Sequence, residues 1–133
     1  MEILRNISLL LAIESDWGIF ALRVAVGVVL FVHGFVKLRD IRGTGEWFGS
    51  VGFRPGLFWG TVAAVAETLG GTALLLGVGV RWTALILIGE FLVILGWRFG
   101  RRDKLIGGFE LDLIILAALM ALATLGGGAW ALF

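Results

Sequence analysis

Four long apolar segments alternate with short polar connections along the chain, and each is long enough to cross a bilayer as a helix. They cover residues 17–38, 57–77, 81–99 and 108–126. The apolar run within residues 1–16 is too short to span, which predicts an interfacial helix or an extension leading into the first span. The pattern predicts an all-α bundle of four transmembrane helices, with an interfacial segment at 1–16 and a membrane domain at 17–133.

The connection at 39–56 is the most polar stretch between two spans. Trp47, Phe48 and Phe53 lie among charged residues in it, as they would in an interfacial or re-entrant loop. Pro55 lacks a backbone donor and favours the start of the next helix. The second connection, GVGV at 77–80, predicts a tight turn.

The composition agrees with a membrane protein and excludes several kinds of chemistry. Hydrophobic residues make up 59% of the chain, and the mean hydropathy is +1.02. With no cysteine and one histidine, the chain cannot form disulfides, a cysteine-ligated Fe–S cluster or bis-histidine haem ligation by itself. We therefore expect no haem, no Fe–S cluster and no metal. A nucleic-acid partner is not expected either, because no basic block with interleaved aromatics lies outside the apolar segments.

Glycines within the spans are frequent for a helical protein. In membrane helices, small residues allow two backbones to approach closely. We interpret Gly27, Gly34, Gly70 and Gly71 as packing positions of this kind. Gly60, Ala63, Ala64 and Glu67 continue the small-residue stripe of the second span.

Lysine and arginine are distributed unequally between the two ends of the spans. Eight of the eleven lie at the end that carries the first and third connections: Lys37, Arg39, Arg42, Arg54, Arg98, Arg101, Arg102 and Lys104. The positive-inside rule places this end in the cytoplasm. We therefore expect a multi-pass protein of the cell membrane with both termini outside the cytoplasm.

Several ionisable side chains lie inside the predicted spans. They are Arg23, His33 and Lys37 in the first span, Glu67 in the second, Glu90 in the third and Glu110 in the fourth. A charged group at the bilayer centre costs about 2.5–3.5 kcal/mol on insertion scales, so such groups face other helices or a wet cavity. Two interpretations remain open: a polar cavity opening toward the cytoplasm, or ion pairs that only fix helix register.

His33, Glu67 and Glu90 are the candidate catalytic residues. The two glutamates lie near mid-depth, where carboxylates often mark binding sites, and histidine titrates near neutral pH. For Arg23 and Lys37 the pattern favours a structural role, and Lys37 can also extend to the headgroups. Trp97 follows Glu90 at heptad spacing and shares its face. The candidate ligand-binding set is Arg23, His33, Lys37, Glu67, Glu90, Trp97 and Glu110.

The fourth span begins with two carboxylates that cannot face the same neighbour, since Glu110 and Asp112 lie about 200° apart around a helix. Glu110 shares its face with Ala117, Ala121 and Thr124, so we expect it to point inward, toward His33. Asp112 is then expected at the headgroup level, near the helix N-terminus.

The chain resembles the DoxX family of small four-span membrane proteins. The resemblance rests on Arg23 with Gly27, HGFVKL at 33–38, GFRPGLFWG at 52–60, AETLGGTALLLGVGVRWTAL at 66–85, GGFELDLIILAAL at 107–119 and the glycines at 126–128. It implies a four-helix bundle with Arg23, His33, Lys37, Glu67 and Glu110 at the family's polar positions. Members of the family look like respiratory or redox-accessory subunits, and some act in oxidative-stress complexes.

Three functions follow as hypotheses. The first is a quinone-linked redox subunit that binds a quinone in the polar cavity and works with a membrane or soluble redox partner protein. The second is a membrane scaffold or assembly factor whose polar core is structural. The third is a small proton-coupled exporter, although such exporters would be expected to carry their glutamate in the first span. Contact with the lipid bilayer is common to all three, and a homo-oligomer is compatible with each.

Overall fold

The computed structural model describes residues 1–132, with the side chain of Ile13 outside the description. Six α-helices follow one another: α1 (Glu2–Ile13), α2 (Ser15–Arg39), α3 (Ile41–Ser50), α4 (Gly56–Leu76), α5 (Val80–Gly100) and α6 (Glu110–Leu125). The segment Leu105–Phe109, which is kinked at Ile106 and Gly107, leads into α6. Helices α2, α4, α5 and the stretch Leu105–Leu125 are long and apolar enough to cross a membrane. The prediction of an all-helical, four-span, multi-pass membrane protein is confirmed.

The spans run alternately up and down, which gives the bundle two distinct ends. The α3 end carries α3 together with the 101–109 connection, and the terminal end carries the start of α2 and the segment after α6. At the terminal end, the Ala129 amide donates to Asp16 Oδ1 at 3.0 Å, and the rings of Trp17 and Trp130 lie 5.0 Å apart. The start of α2 and the segment after α6 therefore contact each other at the terminal end of the bundle.

Helices α2 and α4 are in backbone contact along their length. A Cβ atom added at Gly34 would lie 2.5 Å from the Thr68 amide nitrogen. One added at Gly71 would lie 2.5 Å from the Phe31 nitrogen, and one at Gly27 would lie 3.0 Å from the Gly71 oxygen. Only glycine permits this approach, so the packing interpretation of these three residues is confirmed.

Helices α5 and α6 form the second closely packed pair. Their facing side chains make the apolar core, with Ala84, Leu87, Leu119 and Leu122 almost completely buried. Gly70 of α4 brings the two helix pairs into contact at this core, since an added Cβ at Gly70 would lie 2.9 Å from Leu87 Cδ1 of α5. The two pairs pack less extensively against each other than the helices do within each pair.

The first connection forms a helix where the sequence indicated an interfacial or re-entrant loop. Asp40 begins α3 by accepting a hydrogen bond from the Gly43 amide at 3.0 Å, a common N-cap arrangement. A Cβ added at Gly45 would lie 2.9 Å from Leu57 Cα, so α3 packs directly on the start of α4. Helix α4 begins just after Pro55, as expected, and the turn before α5 has left-handed glycines at 77 and 79.

Helix α1 precedes the bundle and has an apolar face without a protein neighbour. Ile3, Leu4, Ile7, Leu10 and Leu11 lie on one side of it and are all exposed. Such a helix suits the membrane interface. The interfacial location of residues 1–16 and the division at residue 17 stay predictions.

Candidate functional site

A cavity of about 800 Å³ lies between the two helix pairs, toward the α3 end. All four spans contribute polar side chains to its wall: His33, Lys37, Glu67, Glu90, Arg98 and Asp112. Leu30, Ala63, Phe91 and Ile115 supply apolar surface. The cavity therefore combines a mainly apolar wall with a few converging polar groups, the usual character of a small-molecule site.

Lys37 and Glu67 form the central ion pair of the cavity. The Lys37 Nζ donates to Glu67 Oε1 at 2.7 Å, and only 3% of the Glu67 side chain is exposed. The close approach of α2 and α4 at Gly34 places the two residues opposite each other, because each lies within one helical turn of that contact. Lys37 therefore bonds to a carboxylate within the bundle and does not extend to the headgroups.

Glu67 has a second oxygen that remains available. Oε2 is buried and has no hydrogen-bond partner among the described residues. Both carboxylate oxygens of Glu90 likewise accept from no donor group among the described residues, and the Glu90 carboxyl lies within hydrogen-bonding distance of the Glu67 carboxyl and near Lys37. Buried polar atoms normally have partners. Three carboxylate oxygens at one place thus form an unsatisfied polar cluster facing the cavity.

The second ion-pair group of the cavity was not predicted. Arg98 Nε lies 2.6 Å from Asp112 Oδ2, and Arg98 NH1 lies 3.2 Å from Asp103 Oδ2. Asp112 therefore faces the bundle, whereas Glu110 is exposed and accepts from the Gly107 amide at 3.3 Å. The expectation that Glu110 points inward toward His33, with Asp112 at the headgroups, was wrong.

The reason lies in the rotation of α6. Gly107 has a positive φ of 73°, and Ile106 is extended, so the regular helix begins only at Glu110. Ile115, Leu119 and Leu122 then face the core, and Asp112 lies on their side. The larger apolar side chains, not the small-residue face of Ala117 and Ala121, determined which side is buried.

His33 and Trp97 both line the cavity, at different places. His33 is exposed and lies at the edge of the cavity on α2, without a hydrogen bond to its side chain among the described residues. Trp97 is half-buried, with its ring centroid 5.7 Å from that of Trp47 and the Arg101 guanidinium 4.5 Å above it. The two tryptophans join α3 to α5 beside the cavity.

Arg23 lies at the terminal end of the bundle, away from the cavity. Its side chain is almost fully buried and donates to the carbonyl oxygens of Leu74 (2.7 Å), Leu75 (3.2 Å) and Trp130 (3.4 Å). It thus adds a donor to carbonyls at the C-terminal end of α4, of which the Leu74 oxygen also accepts from the Gly77 amide at 3.3 Å. A cation at that helix end is also favoured by the helix dipole. Arg23 therefore does not line the cavity, contrary to its place in the candidate ligand-binding set, and its carbonyl partners are compatible with the structural role that the pattern favoured.

Comparison with known proteins places these residues in a wider group. The family model described as DoxX matches residues 18–99, which include His33, Lys37, Glu67 and Glu90. A Bacillus subtilis (strain 168) protein described as "Putative oxidoreductase CatD" is 32% identical over 113 residues, covering 82% of this chain and 79% of that protein. No solved structure matches the chain.

Proposed function

This chain belongs to the DoxX family, and on that premise we propose that it is a quinone-linked membrane subunit that binds a quinone headgroup in the cavity between the helix pairs. The observation that carries the proposal is the cluster of unsatisfied carboxylate oxygens on Glu67 and Glu90 beside the Lys37 ammonium. The description of the Bacillus subtilis relative as an oxidoreductase supports the redox direction.

The cavity suits such a ligand in size and in chemistry. Small-molecule sites commonly measure about 300–1,000 Å³, and this cavity falls within that range. A quinone ring is flat and apolar with a carbonyl oxygen at each end. It therefore needs apolar walls and one or two hydrogen-bond donors. Phe91 and Ile115 can supply apolar wall, and Lys37 can supply a donor.

Reduction of a quinone requires two electrons and two protons. In the proposed site, the Lys37 ammonium donates a hydrogen bond to a carbonyl oxygen, and the Glu90 carboxyl holds and delivers a proton. His33, at the exposed edge, exchanges protons with the surroundings. The electrons come from a partner protein that carries a redox group, so this chain binds and positions the quinone.

Quinone binding can be measured through the tryptophans of the cavity. We expect decylubiquinone to quench the fluorescence of the purified protein in lipid nanodiscs saturably, because Trp47, Trp59 and Trp97 lie in the cavity wall. Trp97→Phe should remove a large part of the saturable quenching. Trp82→Phe is the matched control, since Trp82 is 76% exposed near the terminal end and does not line the cavity.

Two results would contradict the proposal. One is the absence of quinone from organic extracts of the purified protein together with unsaturable quenching by added quinone. The other is saturable quenching that is equal in the Trp97→Phe and Trp82→Phe variants and is also unchanged in the Trp47→Phe and Trp59→Phe variants. A correctly folded protein that binds no quinone would favour the scaffold hypothesis.

We further propose that the α3 end faces the cytoplasm, which places the chain termini outside. The basic residues at that end support this orientation. Because the chain contains no cysteine, single cysteines can report it directly. In intact cells, Gly100→Cys should be protected from a membrane-impermeant maleimide, and Leu132→Cys should react. The reverse labelling pattern would overturn the orientation.

A further inference from the structure

The cavity is open to the side of the bundle between α4 and α5. Eight residues line the cavity and are also exposed, of which His33, Trp47 and Leu111 lie on α2, α3 and α6. The other five lie on α4 and α5: Trp59, Val62, Ile86, Gly89 and Val93. The four of these residues other than Gly89 are 44–69% exposed. A residue with one side toward a cavity and another toward the outside lies at the opening. This opening is lateral, within the two spans, and therefore faces the lipid.

Gly89 keeps the centre of this opening free. A Cβ added there would meet nothing within 4 Å, in contrast to the glycines of the α2–α4 contact. Gly89 directly precedes Glu90, and Ala66 on the facing side directly precedes Glu67. The two smallest residues at the opening, Gly89 and Ala66, are thus the sequence neighbours of the two glutamates in the unsatisfied cluster.

The five rim residues on α4 and α5 are all apolar. A water-soluble ion gains nothing from such a route, whereas an alkyl or isoprenoid chain would remain in lipid-like surroundings along its length. The polar groups lie behind the rim, within the cavity. The arrangement thus separates a polar compartment from an apolar exit.

We infer that the α4–α5 opening is a portal and tail site for an amphiphilic ligand, whose polar ring lies at Glu67 and Glu90 and whose hydrocarbon chain leaves past Gly89. The identity of the ring rests on the proposed function. The inference adds the class of ligand, a quinone with a long apolar tail, and the direction from which it enters, sideways from the bilayer.

The test compares two benzoquinones with the same ring, 2,3-dimethoxy-5-methyl-1,4-benzoquinone with and without a decyl chain. Wild type should bind the decyl compound more tightly at equal mole fraction in nanodiscs. Gly89→Phe fills the opening and should weaken binding of the decyl compound by roughly tenfold, while the tailless ring changes by less than about twofold. Gly96→Phe is the matched control, because an added Cβ at Gly96 also meets nothing within 4 Å and Gly96 does not line the cavity.

Unchanged binding of the decyl compound by Gly89→Phe would overturn the portal and leave the proposed function intact. Equal weakening of both compounds would also overturn it, because the substitution would then have damaged the ring site. The portal would also be overturned if wild type bound the decyl compound no more tightly than the tailless ring. That result is expected if a lipid acyl chain occupies the opening. Failure of wild type to bind either compound would overturn the proposed function and the portal together.

Discussion

Glu67→Lys is expected to prevent the formation of a stable bundle. The substitution would place a second ammonium group opposite Lys37, whose Nζ now lies 2.7 Å from the glutamate oxygen. Removing one partner of a buried pair typically costs about 3–5 kcal/mol, and reversing its charge adds repulsion in a region that excludes water. Glu67→Leu removes the charge without adding one, so it should be less harmful. Glu67→Gln, which keeps the shape and an acceptor, should be the least harmful.

Thermal unfolding in detergent, followed by circular dichroism, should give unfolding temperatures that decrease in the order wild type, Glu67→Gln, Glu67→Leu, Glu67→Lys. Glu46→Lys is the control for a charge reversal as such, because Glu46 is exposed on α3. The double variant Lys37→Glu with Glu67→Lys restores an opposite pair and should recover much of the loss. Equal stability of the wild-type, Leu and Lys proteins would mean that Glu67 is solvated in solution.

Gly34→Ala is expected to be strongly damaging although the substitution is conservative. The added methyl group would lie 2.5 Å from both the nitrogen and the side-chain oxygen of Thr68, and 2.8 Å from the Ala64 oxygen. Backbone atoms cannot rotate away, so α2 and α4 must separate. Overpacking of this kind costs about 1–3 kcal/mol, and sometimes more. The separation would also lengthen the Lys37–Glu67 contact, which lies within one turn of Gly34.

Gly96→Ala is the matched control for this prediction. It introduces the same methyl group inside a spanning helix, where nothing lies within 4 Å. Alanine favours the helix by about 1 kcal/mol over glycine, so Gly96→Ala should unfold at the wild-type temperature or above it. A Gly34→Ala protein as stable as the Gly96→Ala protein would refute the close contact between α2 and α4.

Much of the fold could be predicted from the pattern of the chain. Length and hydropathy identify a spanning helix with few alternatives, because the bilayer requires backbone hydrogen bonds to be made within the segment. The small-residue stripe of α4 likewise showed which face is buried. The helix α3 was not predicted, because glycines at 43, 45 and 49 lower helix propensity. Its packing on α4 depends on Gly45, where an added Cβ would lie 2.9 Å from Leu57 Cα, and this is a tertiary effect.

The site was predicted less completely, and the errors have a common cause. Periodicity gives the angle between two side chains of one helix but not the rotation of that helix in the bundle. Glu110 and Asp112 were correctly separated and then assigned to the wrong sides. Lys37 was recognised, but its partner was not, since pairing depends on the distance between α2 and α4. A signal for the Arg98–Asp112 pair was present in the basic stretch that directly precedes the fourth span.

The buried position of Arg23 has a consequence for the biosynthesis of the protein. Arg23 belongs to the first span, yet two of its acceptors lie 51 and 107 residues further along the chain, in Leu74 and Trp130. When the first span enters the membrane ahead of the later spans, neither acceptor is yet in place beside it. The guanidinium must then stay with water or lipid phosphates until the second span arrives. Arg23 therefore gains its final hydrogen bonds only after later parts of the chain have been inserted, and the bundle closes at its terminal end when the segment after the fourth span folds back over Arg23.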